Sequence, residues 1–402
     1  MSLKSQEEVW KGLHAIAPHI KRVILQVHRN PGTGVWAMMK YLVREQNKEP
    51  GVLSIMSVMA DRAWMASSYM DELKQWDTPY LLAKVPKMFG TGAYLYCIAA
   101  NPLRDWIRRL QTTFPNAEIV VHSHASWMTG GFFPLPRGRK TVVVSTLHGI
   151  ADDHRLRSIW WLRCAHRYFS KRLCNSHSVL TAVSHETTVR AEDILGIPAS
   201  RFEVVHNGIP MPDLTDCFNP PRSGGLRVGH VGQMHPGKGW HLLLAAVDNL
   251  HKRGFKVDLT LAGEGMAAAD ARVAAAERPA YVRYLGLVTE AGRTVIPQLD
   301  TLVLATWSEG MPMGIIEAFA AGVPVLATPV GGIPEMLIHN VNGLLIERDV
   351  QSIEMALERL ITENGLLEQL ACGARATFEE RFKIDKVVAR YNEVYAKALL
   401  HA

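Results

Sequence analysis

Two carboxylates, Glu309 and Glu317, bracket the turn Gly310-Met311-Pro312-Met313-Gly314 inside TWSEGMPMGIIEAFAAGVPVLAT, residues 306–328. Proline suits the first position of a helix, where its missing N–H would go unpaired anyway, so a helix opening at Pro312 is predicted. The amides of Met313, Gly314 and Ile315 then become free donors at the positive end of the helix dipole, which favours a phosphate. A carboxylate repels phosphate but accepts hydrogen bonds from hydroxyls, so two of them here suggest a ligand with both phosphates and sugar rings. Glu309 follows the apolar run LVLA (302–305) and so sits at the carboxyl end of a buried strand, where open α/β sheets bind ligands. A plainer reading stays open on these residues alone: Glu317 complements the dipole and Glu309 is a solvated loop acid.

Earlier in the same half, the strand LRVGHVG (226–232) leads through QMHPGKG to a helix from about Trp240, with Lys238 at the helix mouth. The dipole repels a cation there, which favours a partner such as a diphosphate. LAGEG (261–265) and YLGLV (284–288) end two further strands in glycine turns, and Gly263, Leu287 and Val288 are read as a rim for a base. In the first half, HRNPGTGVW sets Gly32, Thr33 and Gly34 after the first strand, ahead of a helix from about Val35. A bare GxG supports close backbone approach to a ligand and no more. VHSHASW (121–127) and TLHGI (146–150) each place a histidine after a strand; His122 and His124 share a face, and His124 or His148 points into an interdomain cleft if these strand ends face it. No carboxylate stands at ligand spacing from these histidines and no Asp-x-Asp occurs, so no metal is expected. Asp152-Asp153 is read as a solvated loop.

The elements that must hold these residues alternate along the chain. VILQV (23–27), VLSIM (52–56), EIVV (118–121), TVVVST (141–146), LRVGHVG, VDLTLAG, LVLA and VPVLAT are separated by helical segments, which predicts an α/β fold of parallel sheets flanked by helices. A length of 402 residues suits two domains. Gly, Pro, Asp and Ser concentrate in NGIPMPDLTDCFNPPRSGG, so the expected organisation is a domain at 1–206, a linker at 207–225, a second domain at 226–380 and a final helix within 381–402. That helix repeats Val387, Val388, Tyr391, Val394, Tyr395 and Leu399 near helical spacing; periodicity does not say which domain it joins.

The net charge of +6 is uneven: residues 1–200 hold 25 Lys/Arg against 15 Asp/Glu, leaving 19 against 23 beyond. Eight of the ten tryptophans also fall in the first half, a combination suited to sugars or anionic lipid head groups. In HRLRSIWWLRCAHRYFSKRL (154–173), Arg163, Arg167 and Lys171 lie beside Leu162, Ala165, Phe169 and Leu173. Such a helix can rest on an anionic membrane surface or bury its stripe in the core. Nucleic acid is not an expected partner, since no helix-turn-helix, zinc-finger or RNP-like motif occurs. No run of 18 uncharged apolar residues and no leader pattern are present, which leads to a cytoplasmic expectation, peripheral on the inner face of the membrane if the basic helix docks. Five scattered cysteines without CxxC spacing argue against zinc or a disulfide framework.

Together these segments resemble the retaining family-4 glycosyltransferases, which have the two-domain GT-B fold. Glu309 through Glu317 is similar to their Glu-x7-Glu motif, the most specific match. PGTG (31–34) resembles the glycine-rich acceptor-side loop, VHSHASWMTGG the histidine segment, TAVSHET a Val-Ser-Glu-like turn, VHNGIP the approach to the linker, and GKG the donor lysine loop. The likeness spans nearly the whole chain. It implies Rossmann-like domains facing across a cleft, and metal-independent, cofactor-free transfer from a UDP-, GDP- or ADP-sugar to a hydroxyl of a lipid-linked or saccharide acceptor. Retained configuration by front-face attack, in bacterial-type envelope polysaccharide, lipopolysaccharide or glycolipid synthesis, is implied as well. Lys238, Gln233, Gly34 and the amides of Met313, Gly314 and Ile315 would hold the diphosphate, Glu317 the ribose, and Gly263, Leu287 and Val288 the base. Glu309 would contact the transferred sugar, His124 would sit near the reacting centre, and Gly32, Thr33 and His148 would line the acceptor side. Two features depart from the pattern: Gln233 stands where the family usually has arginine, and Glu309 is followed by Gly-Met-Pro. The alternatives are a sugar-nucleotide epimerase of the same fold and a non-catalytic sugar-nucleotide binder.

Overall fold

The computed structural model describes residues 6–29, 33–76, 78–84, 102–124, 140–149, 179–212, 225–278 and 280–400. Among them, β1 (Arg22–Arg29), β2 (Val52–Ala60), β3 (Tyr80–Lys84), β4 (Glu118–Ser123), β5 (Thr141–Leu147), β6 (Val179–Ala182) and β7 (Phe202–Val204) form one parallel sheet of order β3-β2-β1-β4-β5-β6-β7. A second parallel sheet has the order β10-β9-β8-β11-β12-β13, from β8 (Leu226–Val231), β9 (Val257–Ala262), β10 (Val282–Tyr284), β11 (Thr301–Leu304), β12 (Val325–Ala327) and β13 (Gly343–Leu345). Strands covered on both faces need apolar side chains at successive positions, which is why these segments read as near-continuous Val, Ile and Leu runs. The expected α/β class with two parallel sheets is what the chain adopts. The short strands β3, β6, β7 and β13 escape a pattern reading.

Each sheet reverses its strand order once, between β1 and β4 in the first and between β8 and β11 in the second. Loops leaving the carboxyl ends of such a strand pair diverge and leave a crevice for a ligand. Asp300, fully buried, fixes the second reversal point: it accepts the Arg227 amide at 2.7 Å and the guanidinium at 2.5 Å, tying the start of β11 to β8.

The chain divides into Met1–His206 with Ile384–Ala402, and Asn207–Lys383. The last helix, Ile384–Leu400, therefore belongs to the first unit. It buries Val387, Val388, Tyr391, Val394, Tyr395 and Ala398 with Val120 of β4, Val142 and Val144 of β5, and Met38 and Leu42 of the helix Thr33–Gln46. Lys397 and Arg390 both pair with Glu203 at its rim. Asn207, at the head of the expected linker, instead belongs to the second unit, its amide donating to the Met311 carbonyl at 3.1 Å. Residues 213–224 of that linker, Asp152-Asp153 and the basic segment 154–173 lie outside the described residues. Among the described residues no helix is long and apolar enough to cross a membrane.

Candidate active site

At the reversal point of the second sheet, the loop after β8 passes through one tight turn, Pro236–Lys238, whose Gly237 amide donates to the His235 ring at 2.9 Å. Gly239 follows at φ +74, and a Cβ there would lie 2.1 Å from the Ala305 carbonyl oxygen. Only glycine permits that approach, which presses the Lys238 loop against the loop leaving β11. The Trp307 amide donates to the Gly237 carbonyl at 2.9 Å across the same junction. Lys238 Nζ consequently meets Glu309 Oε1 at 2.6 Å, with the side chains 26 % and 15 % exposed. The backbone of Glu309 is braced from β12: Gly331 at φ +59 would put a Cβ 1.7 Å from its carbonyl oxygen, and the Gly332 amide donates to Gly310 at 2.9 Å. Near the lysine, His230 is buried and bonds the Val303 carbonyl through Nδ1 at 3.2 Å. Burial, with a smaller contribution from the Lys238 charge, pushes its pKa down to about 4, so the ring is neutral.

The helix that follows, Met313–Ala320, begins one residue later than expected. Pro312 is its cap, extended at φ −69, ψ 122, rather than its first helical residue. The expectation of three free amides is corrected with it: the Pro312 carbonyl accepts the Ile315 amide at 3.2 Å, a tight first turn that leaves Met313 and Gly314 beyond the helix ladder. Glu317, partly buried, lies one turn on. Gly292, in the turn Ala291–Thr294, packs so closely that a Cβ would fall 2.6 Å from the Glu317 carboxyl carbon. Nothing in the sequence singled out Gly292. The base rim is a stack of glycine turns: Gly263 donates to the Gly286 carbonyl at 2.7 Å, Tyr284 Oη donates to the Gly263 carbonyl at 2.9 Å, and a Cβ on Gly263 would sit 1.7 Å from the Gly232 oxygen. Leu287 is exposed, Val288 half-buried and Gln233 exposed.

At the reversal point of the first sheet, Gln26 of β1 is in register with His122 of β4. His124, just beyond β4, is 1 % exposed and has both ring nitrogens engaged, Nε2 with Gln26 Oε1 at 2.6 Å and Nδ1 with His148 Nε2 at 2.9 Å. His124, expected near the reacting centre, is thus enclosed, and the half-buried His148 is the member of this set with open surface. His122 bonds the Tyr395 hydroxyl through Nδ1 and Thr146 Oγ1 through Nε2, both at 2.7 Å. Gln46 links the two histidine branches, taking the Gln26 amide at 2.8 Å and reaching the Tyr395 hydroxyl at 3.3 Å. Burial, then the charges of neighbouring histidines, pushes His122 and His148 to about 3 and His124 well below its ordinary value. All three rings are neutral at physiological pH. Burial also raises Tyr391 to about 12.

Gln26 left one signal, a polar residue inside the apolar run VILQV; Tyr391 and Tyr395 left none beyond core spacing. Thr33 opens its helix two residues earlier than read, with Gly34 in the first turn, and Gly32 lies outside the described residues. Among the described residues no group of three His, Cys, Asp or Glu is arranged to hold a metal ion.

Residues 57–211 match the family described as Glycosyltransferase Family 4, and residues 225–363 match Glycosyl transferases group 1. The chain is 25 % identical over 288 residues to glycogen synthase of Mycobacterium tuberculosis, covering 69 % of each. It is 28 % identical over 202 residues to the amylovoran biosynthesis glycosyltransferase AmsK of Erwinia amylovora, 47 % of this chain and 49 % of that protein. Among solved structures, Anabaena Alr3699/HepE in complex with UDP and glucose superposes at TM-score 0.71 with 18 % identity, over 94 % of this chain and 100 % of that one. The lipopolysaccharide outer core galactosyltransferase WaaB gives 0.64 with 16 % identity, over 94 % and 99 %. The fold is GT-B, and the protein is a glycosyltransferase. With both halves matched, the chain belongs to the family-4 glycosyltransferases.

Proposed function

We propose that this enzyme moves a sugar from a nucleoside-diphosphate sugar to an acceptor hydroxyl with retention of anomeric configuration and without a metal. The observation that carries this reading is the Lys238–Glu309 pair at the sheet's reversal point, 2.6 Å apart and beside the open end of the Met313–Ala320 helix. On donor binding, Lys238 turns to the diphosphate with the Met313 and Gly314 amides, freeing Glu309 to accept hydroxyls of the transferred sugar while Glu317 accepts those of the ribose. The bond from anomeric carbon to diphosphate oxygen breaks, the acceptor oxygen bonds that carbon on the same face, and the hydroxyl proton leaves on the released diphosphate. Charge developing on the diphosphate is then met by a lysine and a helix terminus, which does the work a divalent ion does elsewhere. Gln233 can donate a hydrogen bond but adds no charge.

The Anabaena neighbour, solved with UDP and glucose, supports a nucleotide-sugar donor, with UDP-, GDP- and ADP-sugars the candidates. The relative named for amylovoran biosynthesis supports a role in polysaccharide synthesis, and a saccharide or lipid-linked acceptor in envelope polysaccharide, lipopolysaccharide or glycolipid synthesis is part of the proposal. A cytoplasmic location, peripheral to an anionic membrane through 154–173, is part of the same proposal and draws on the basic first half.

The test is a panel of UDP-, GDP- and ADP-hexoses with and without EDTA, scored for nucleotide release and for the anomeric configuration of the product. One base class is expected to turn over equally in EDTA, giving a product of donor configuration. Inversion, or activity abolished by EDTA and restored by Mg²⁺ or Mn²⁺, would overturn the reading. A second measurement addresses Glu317: Gly292→Val is expected to raise the donor KM about tenfold by displacing the carboxylate, one charge-assisted hydrogen bond's worth. An unchanged KM would remove Glu317 from the ribose site.

A further inference from the structure

The hydrogen bonds around His124 form one directed chain ending on a group that can only accept. Thr181 Oγ1 donates to the Ser145 carbonyl at 3.3 Å, so Thr146, 2.6 Å away, donates to Thr181 and is left to accept from His122 Nε2–H. His122 Nδ1 is then bare and takes the Tyr395 hydroxyl proton. Tyr395 accepts from the Gln46 amide, and Gln46 Oε1, which also accepts from Ser54 at 2.8 Å, takes the Gln26 amide. Gln26 Oε1 must therefore accept from His124 Nε2–H. That leaves His124 Nδ1 bare, so His148 Nε2–H donates to it. The chain runs through β1, β4, β5 and β6, the end of the helix Thr33–Gln46 and the last helix, and every member except His148 is buried.

We propose that Gln26 and Tyr395 act as positioning residues that fix the tautomer of His148, presenting its bare Nδ1 as the hydrogen-bond acceptor for the hydroxyl that receives the sugar. Among the described residues Nδ1 of His148 has no hydrogen-bond partner, and it lies on the one member of the chain with solvent access. A ring held neutral in this way accepts a hydrogen bond without taking the proton, so it orients the nucleophile while the proton leaves with the diphosphate. The inference rests on the glycosyl-transfer reading above.

The full-length enzyme, with ¹⁵N-labelled histidine, is examined by two-bond ¹H–¹⁵N correlation at pH 7.5, His148 being assigned from its lost signals in His148→Asn. His122, His124 and His148 are expected as Nε2–H tautomers. In Gln26→Met the last donor–acceptor instruction is lost, so His148 is expected to populate Nδ1–H and kcat to fall about tenfold at unchanged donor KM. Tyr395→Phe keeps ring and packing, loses only the hydroxyl, and is expected to shift the His122 nitrogens and lower kcat in the same direction. Wild-type His148 found as Nδ1–H, or active Gln26→Met and Tyr395→Phe enzymes with unaltered kcat and tautomers, would overturn the assignment. The spectra are independent of turnover: His148 in the assigned tautomer with no transfer from any donor defeats the function and its dependent role, whereas active enzyme with the wrong tautomer defeats only this inference.

Discussion

Lys238→Ala is expected to lower kcat about 10²–10³-fold, the usual cost of removing a donor aimed at charge that develops in the transition state. The fold is expected to survive the change. The loop is shaped by Gly239 against Ala305 and by the Trp307 to Gly237 hydrogen bond, neither of which uses the lysine side chain. What the substitution does change is the charge balance around Glu309, which loses its counter-ion at 2.6 Å and becomes a lone carboxylate beside the expected phosphates. Donor affinity should therefore fall as well, and Glu309→Gln added to Lys238→Ala should restore part of that affinity without restoring kcat. Measuring kcat and donor KM for the two singles and the double decides it. A Lys238→Ala enzyme within threefold of wild type would mean that the diphosphate is held elsewhere, and additive singles would mean that the pair does not act as a unit.

The second large effect is acid destabilisation confined at first to one unit. His122, His124 and His148 in the first unit have pKa values held below the ordinary 6.5 by burial. The unfolded chain therefore binds protons that the folded unit refuses, so stability is full above about pH 6.5 and is lost as pH falls toward 3. Each fully buried histidine contributes a slope of about 1.4 kcal/mol per pH unit, so three give about 4, against one for His230 in the second unit, where the partly buried His241 is also lowered and adds to it. With a typical total of about 5–15 kcal/mol, the first unit is expected to open between pH 5 and 4, ahead of the second. Eight of the ten tryptophans lie within residues 1–206, so tryptophan emission follows that unit selectively. Urea titrations from pH 8 to 4.5 with that readout test it; a midpoint unchanged between pH 7 and 5 would show that these rings are not buried neutral.

Glu309, Glu317 and Lys238 were legible in the sequence because charged residues beside Gly and Pro, straight after a buried strand, have few structural reasons to be there. The strands were legible where burial on both faces gave unbroken apolar runs. Direct pairing of Lys238 with Glu309 was not, since it depends on how closely glycine lets two loops approach, a matter of φ angles and missing Cβ atoms. The enclosure of His124 was hidden for a different reason. Its position after a strand is visible, but its enclosure is made by Gln26, 98 residues earlier, and through Gln46 by Tyr395, far later in the chain. No local pattern encodes such a closure. Pro312 shows the smaller error: a proline at a helix start fits both the cap and the first turn, and one residue's difference decides which amides stay open.

The membership of Ile384–Leu400 in the first unit also orders events during synthesis. The second unit is one uninterrupted stretch, Asn207–Lys383, whereas the first lacks Tyr391 and Tyr395 until the whole of the second has been made. A growing chain thus carries its earlier-made half with an open apolar face over β4 and β5, while the later-made half already has every residue it needs. Of the two units, the one begun earlier is completed later, and it depends on Ile384–Leu400 for both its core and its histidines.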